Sequence, residues 1–277
     1  MALILSSRSD GSAALCQNNR MTYQYLLLTR DAAVATITLN RPDQRNALSL
    51  GLMRELTQAL QFVAASDALG VILAANGPVF SAGHHFGDMA GATSGQLHAL
   101  FETCTSMMDT LQAMPQPVVA RVHALATAAG CQLVATCDMA VAADTASFAI
   151  PGGKGGLFCH TPLVAVARNI GRKRALEMAM TGDAIDAATA ADWGLVNKVV
   201  DAAQLEAATL DLVRRATRGS AGSKALGKQV FYRQIGLTQD HAYQLAGHEM
   251  AEAALSPDAQ EGFAAFLGKR EASYRMR

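Results

Sequence analysis

Four short apolar runs constrain this chain most: "VATITLN" (34–40), "GVILAAN" (70–76), "VVARV" (118–122) and "DMAVAAD" (138–144), each bounded by turn-forming residues. Runs of this length suit strands buried inside a sheet. Helical patterns fall between them. Ser49 is placed to cap a helix carrying Met53, Leu56, Leu60 and Val63 on one face, and a second helix is expected over 96–114. The small-residue run "ATAAGCQLVATC" reads as a tightly packed buried helix. Strand and helix in alternation predict an α/β chain.

After Ile170 the pattern turns helical, in "RKRALEMAMTG", "DAATAADWG" and from about Ala202 to the end, with "LVNKVV" as one more short strand. Ser256-Pro257-Asp258 has the composition of a helix start, with proline in the first turn. These readings divide the chain into residues 1–20, an expected disordered leader; 21–215, an α/β core; and 216–277, a helical region. Met21 is a candidate natural start.

At 277 residues and 51% hydrophobic content, the chain is long enough for a large single core. Lys plus Arg and Asp plus Glu balance at 23 each, so no overall field draws it to nucleic acid or an anionic membrane. No apolar run approaches the ~18 residues of a membrane span. The five cysteines, Cys16, Cys104, Cys131, Cys137 and Cys159, form no CxxC pair, which suits reduced thiols better than disulfides or zinc. A cytoplasmic protein is the expectation.

Three loops carry polar or glycine-rich sequence after apolar runs. "VFSAGHHFGDM" and "LATAAGCQL" each bring small residues to the start of an element, where backbone N–H groups are left free to grip an oxygen. An ordinary strand–helix turn or close helix packing gives the same pattern. "PGGKGGLFCH" lacks the GxxxxGK[ST] order of a phosphate loop. His84-His85 lacks the i, i+4 spacing and acidic company of a metal site, so no metal is expected.

Taken together, "ITLNRPDQRNALS", "GPVFSAGHHFGDM", "AGCQLVATCDMAVA", "FAIPGGKGGL", "ALEMAMTGDAIDAATAADWGLVNKVV" and "EGFAAFLGKR" resemble the enoyl-CoA hydratase/isomerase (crotonase) superfamily over about Met21 to Arg270. Within it, "GPVFSAGH", "AAGCQLVA" and "GLFC…TP" are most similar to the enoyl-CoA hydratase domain-containing 3 group. The resemblance implies a crotonase-like spiral of ββα units with a C-terminal helical region that trimerises and contacts coenzyme A. It also implies an acyl-CoA thioester substrate, no separate cofactor, and a homotrimer or dimer of trimers.

By motif position, the resemblance makes the backbone N–H groups of His84 and Ala129 an oxyanion hole. It lays pantetheine and nucleotide along Arg45, Asn46 and Ala47 and along the loop of Ala82, His85 and Phe86. Gly130 lies beside the second donor, and Phe266 and Lys269 are weaker candidates for the nucleotide end, from this or a neighbouring subunit. The two hydratase glutamates fall at Gln132 and Gly152. An amide cannot act as a general base at neutral pH, and glycine has no side chain.

Between His123 and His160 the only carboxylates are Asp138, expected to be structural, and Asp144, expected in a turn. A two-glutamate hydratase mechanism is therefore not expected. His84, His85, Cys159, His160 and Asp88 are candidate substitutes, each with packing or surface placement as the commoner alternative. Three functions stay open: an enzyme acting through a thioester enolate (isomerisation, decarboxylation, hydrolysis or atypical hydration), a non-catalytic acyl-CoA binder, and a structural subunit.

Overall fold

A computed structural model describes residues 22–275. The expected leader, Cys16 and Met21 lie outside the described residues. Strands β1 (Leu26–Asp31) and β2 (Val34–Leu39) form an antiparallel hairpin. Helix α1 (Leu50–Ala64) follows, with the Ser49 hydroxyl accepting from Leu52 N–H as anticipated. Next come β3 (Gly70–Ala75), α2 (Ser94–Ala113), β4 (Val118–Val122), β5 (Ala126–Thr127), α3 (Ala129–Thr136), β6 (Met139–Ala143) and β7 (Ser147–Ala149). The chain continues through α4 (His160–Ile170), α5 (Arg172–Thr181), β8 (Ile185–Asp186), α6 (Ala187–Trp193), β9 (Lys198–Val200), α7 (Leu205–Ala216), α8 (Ala221–Gln234), α9 (Gln239–Ala254) and α10 (Pro257–Leu267).

The main sheet has the order β1-β2-β3-β4-β6-β9 and is parallel except at β1. A second sheet, β5-β7-β8, stands beside it. The continuous apolar runs have a simple cause: the central strands are buried on both faces. Val71 and Leu73 of β3, Val118 and Ala120 of β4 and Ala140 and Ala142 of β6 join the core beneath α1 and α2. The alternate residues Ile72, Ala74, Val119, Val141 and Ala143 point the other way, onto Leu205 and Val213 of α7. Helix α7 thus covers the second face of the sheet.

Helix α8 is tied to the core by a buried cluster. Lys228 Nζ lies 2.7 Å from Asp138 Oδ2 and donates to the carbonyls of Leu111 and Gln116. Tyr232 Oη donates to Asp138 Oδ1 at 2.8 Å, and Val118 N–H to Oδ2 at 2.6 Å. The structural task expected of Asp138 is visible in its three partners, Lys228, Tyr232 and Val118, which engage both carboxylate oxygens.

Five elements depart from the sequence reading, among them the short strands β5, β7 and β8. β1 was not anticipated, because "LLLTRD" does not alternate; its outer residues face solvent at a sheet edge. α4 was hidden by the preceding glycines and by Pro162, which a first helical turn accommodates.

Candidate active site

The first donor loop is held from below by a turn. Arg45 and Asn46 both adopt left-handed backbone, at φ 52° and 49°. Asn46 is fully buried: its Oδ1 accepts from Arg41 N–H and its Nδ2 donates to the carbonyls of Asn76 and Val79. Its amide is spent inside the loop, so the expected direct contact between Asn46 and a substrate is corrected to a framework role. Ala82 N–H donates to Arg45 O at 3.0 Å, Leu48 N–H to Gly83 O at 2.7 Å, and His85 N–H to Leu48 O at 3.3 Å. This parallel bridge runs past His84 and leaves its N–H between the bonds, unused.

Asp88 is committed as well. Its Oδ2 accepts from Leu50 N–H at the start of α1, and its Oδ1 meets His85 Nδ1 at 3.2 Å. Phe86 is 78% exposed at the loop's outer edge, and Arg45 is exposed beside buried Ala47.

The second donor comes from the start of α3. Thr127 N–H donates to Ser81 O and Ala128 N–H to Ala149 O, turning the chain so that Ala129 N–H opens the helix without an intrahelical acceptor. Ala128 takes φ 52° and ψ −120°, a strained conformation for a residue with a side chain. The two loops meet at Gly83, which has φ +84°; a Cβ there would lie 3.1 Å from Ala129 N and 2.9 Å from Ala128 Cβ. A Cβ on Gly130 would lie 2.5 Å from Ser81 O, so its lack of a side chain lets α3 approach the first loop.

The side chains around these donors are uncharged. The His84 ring stands edge-on to Phe101 of α2, with centroids 5.3 Å apart. Burial lowers its pKa to about 4, so the imidazole is neutral at physiological pH, and its Nε2 is buried without a partner among the described residues. Gln132, one helical turn past Ala129, is buried, and its Oε1 also lacks a partner. So does Thr127 Oγ1. Thr127 and Phe101 were missed from sequence; Thr127 gave only its nearness to the "AAG" step, and Phe101 gave no local signal.

Gly152 opens the glycine segment after β7. A Cβ built on it would lie 2.3 Å from Leu157 O and 2.5 Å from Cys159 Sγ, so the room for a side chain is occupied. Cys159 itself is buried, with a thiol pushed up by desolvation, which makes it a poor nucleophile. His160 is exposed and packs its ring against Phe158. Phe266 lies in the last turn of α10 and Lys269 two residues past its end; α10 packs on α8 and α9.

The family model for enoyl-CoA hydratase/isomerase matches residues 29–277. The fold and this match together show that the chain belongs to the enoyl-CoA hydratase/isomerase (crotonase) family. Among its relatives is the protein named enoyl-CoA hydratase domain-containing protein 3, mitochondrial, of Mus musculus, 45% identical over 240 residues that cover 86% of this chain and 80% of the relative. The crystal structure of the human enoyl-CoA hydratase domain-containing protein 3 superposes with a TM-score of 0.85 at 41% identity, covering 91% of this chain and 100% of that one. An enoyl-CoA hydratase structure from Mycobacterium smegmatis gives 0.88 at 44% identity, with 91% and 99% covered.

The resemblance to the domain-containing 3 group is borne out. The cytoplasmic expectation is not: the mouse and human relatives are named mitochondrial. Charge and cysteine content had no power to separate the two, because both compartments keep thiols reduced.

Proposed function

We infer that this chain binds an acyl-CoA thioester, with the thioester oxygen between the backbone N–H groups of His84 and Ala129, and acts on it through an enolate without the two-glutamate hydratase mechanism. One observation carries the reading: two free N–H donors from separate loops converge across Gly83, which has no side chain to block them. Such a pair stabilises negative charge as it develops, worth ~2.7–4 kcal/mol per donor in a dry site. Coenzyme A enters as part of the substrate, and no further cofactor is invoked.

Arg45 and the outer edge of the Ala82–Phe86 loop are the parts of the first loop left open to the pantetheine and nucleotide. Phe266 and Lys269 serve a neighbouring copy in this reading, within a homotrimer or a dimer of trimers. The apolar side chains exposed on α8 to α10, with Phe266 at 84%, support such an assembly.

A second reading, a non-catalytic acyl-CoA binder, is favoured by Gln132 and by the filled space at Gly152. Calorimetric titration with butyryl-CoA and crotonyl-CoA, beside turnover of each, separates the two. Saturable binding is expected, with crotonyl-CoA hydration absent or very slow. Failure to bind either thioester would overturn both readings.

A further inference from the structure

Five buried side-chain N or O atoms lack a hydrogen-bond partner among the described residues, and three of them, His84 Nε2, Thr127 Oγ1 and Gln132 Oε1, belong to residues at or within three positions of the two oxyanion donors. Buried polar groups left open in this way cost free energy unless something completes them. These residues sit on or just beyond the two loops that meet at Gly83, where a polar group of a bound ligand can complete them. All three can donate: a neutral imidazole through its N–H, a hydroxyl, and an amide turned to present its –NH2. No Lys or Arg occurs in 80–87 or 124–137, so the cluster carries donors without a counter-charge.

We propose that His84, Thr127 and Gln132 form an uncharged subsite for a carboxylate on the acyl group, and that the chain takes malonyl-type, 2-carboxyacyl thioesters. The inference rests on the thioester-binding reading above and adds its substrate class. The chemistry follows from what the site lacks. An enolate is ordinarily made by a base removing a proton, yet Gln132 and Gly152 supply none and Asp88 is held by Leu50 N–H and His85.

An enolate forms without a base when the group leaving Cα departs as carbon dioxide. The bond from Cα to the carboxylate breaks, and its electron pair becomes the Cα=C bond of the enolate. The negative charge moves to the thioester oxygen, between the His84 and Ala129 N–H groups. Cα then takes a proton from water, and the hydroxide left behind combines with carbon dioxide as bicarbonate. Neutral donors favour this step. They fix the carboxylate's orientation but stabilise its charge less than a guanidinium would, so the starting state is not held back.

The test is titration and turnover with malonyl-CoA and butyryl-CoA, using the full chain. Malonyl-CoA is expected to bind more tightly than butyryl-CoA and to release carbon dioxide, leaving acetyl-CoA with deuterium at C2 when the reaction is run in D2O. Thr127→Val and Gln132→Met should each weaken malonyl-CoA about tenfold, as hydrogen bonds to charged groups do, and leave butyryl-CoA binding nearly unchanged. Retained butyryl-CoA affinity also shows that each variant is folded. Butyryl-CoA binding with no preference for malonyl-CoA, or with no carbon dioxide released, would overturn the subsite while leaving the thioester reading intact. Loss of binding to both in the unaltered protein would overturn the two together.

Discussion

Gly83 stands at φ +84° with its α-carbon against the second donor. Gly83→Ala would place a methyl 2.9 Å from Ala128 Cβ and 3.0 Å from Thr127 O. Left-handed backbone alone costs an L-residue about 1–2 kcal/mol. The expected outcome is a drop in stability of at least that size in urea melts, together with loss of butyryl-CoA binding. His84 gives a pH signature. Its pKa falls from 6.5 to about 4 on folding because burial against Phe101 disfavours the charged ring. Between those values the unfolded chain binds the proton and the folded one does not, so this residue makes stability rise with pH from about 4 to 6.5. Urea melts across that window should show a shallower rise for His84→Gln. An unchanged slope would mean the ring is not desolvated.

At the scale of elements, the Asp138–Lys228–Tyr232 cluster fastens α8 to strand β4 and to the end of α3. Lys228→Met leaves a buried carboxylate without its cation, at a cost of about 3–5 kcal/mol. Adding Asp138→Asn removes that stranded charge, so the double variant should be less destabilised than the sum of the two single changes. Equal and additive losses in denaturant melts would show that the pair is not coupled. The same elements show how far sequence reading reached. The four central strands β2, β3, β4 and β6 and the Ser49 cap were legible because local apolar runs and a hydroxyl at the right offset specify them. Asn46 was placed at the substrate because it sits in a family motif; its burial, and bonds to Asn76 and Val79 far along the chain, are tertiary facts. Likewise the absence of an acid at position 152 was plain, whereas the occupation of its space by Leu157 and Cys159 depends on how the glycine segment folds back.

At the scale of the molecule, α8 to α10 leave Phe231, Ile235, Tyr243, Met250, Phe263 and Phe266 exposed. Light scattering on the purified chain should give the mass of three or six copies, and Met250→Glu with Phe263→Glu should shift it toward one. A monomer at micromolar concentration would contradict the assembly. The crowded ground beneath Gly152 has a consequence for redesign. With Leu157 O and Cys159 Sγ in the space that a side chain at 152 would need, a carboxylate cannot be placed there by a single substitution. Gly152→Glu, even with Gln132→Glu, should yield an overpacked protein destabilised by about 1–3 kcal/mol or more and still unable to hydrate crotonyl-CoA. Placing an acid at 152 should require exchanging the whole 151–160 segment, so that the redesign runs through a loop transplant.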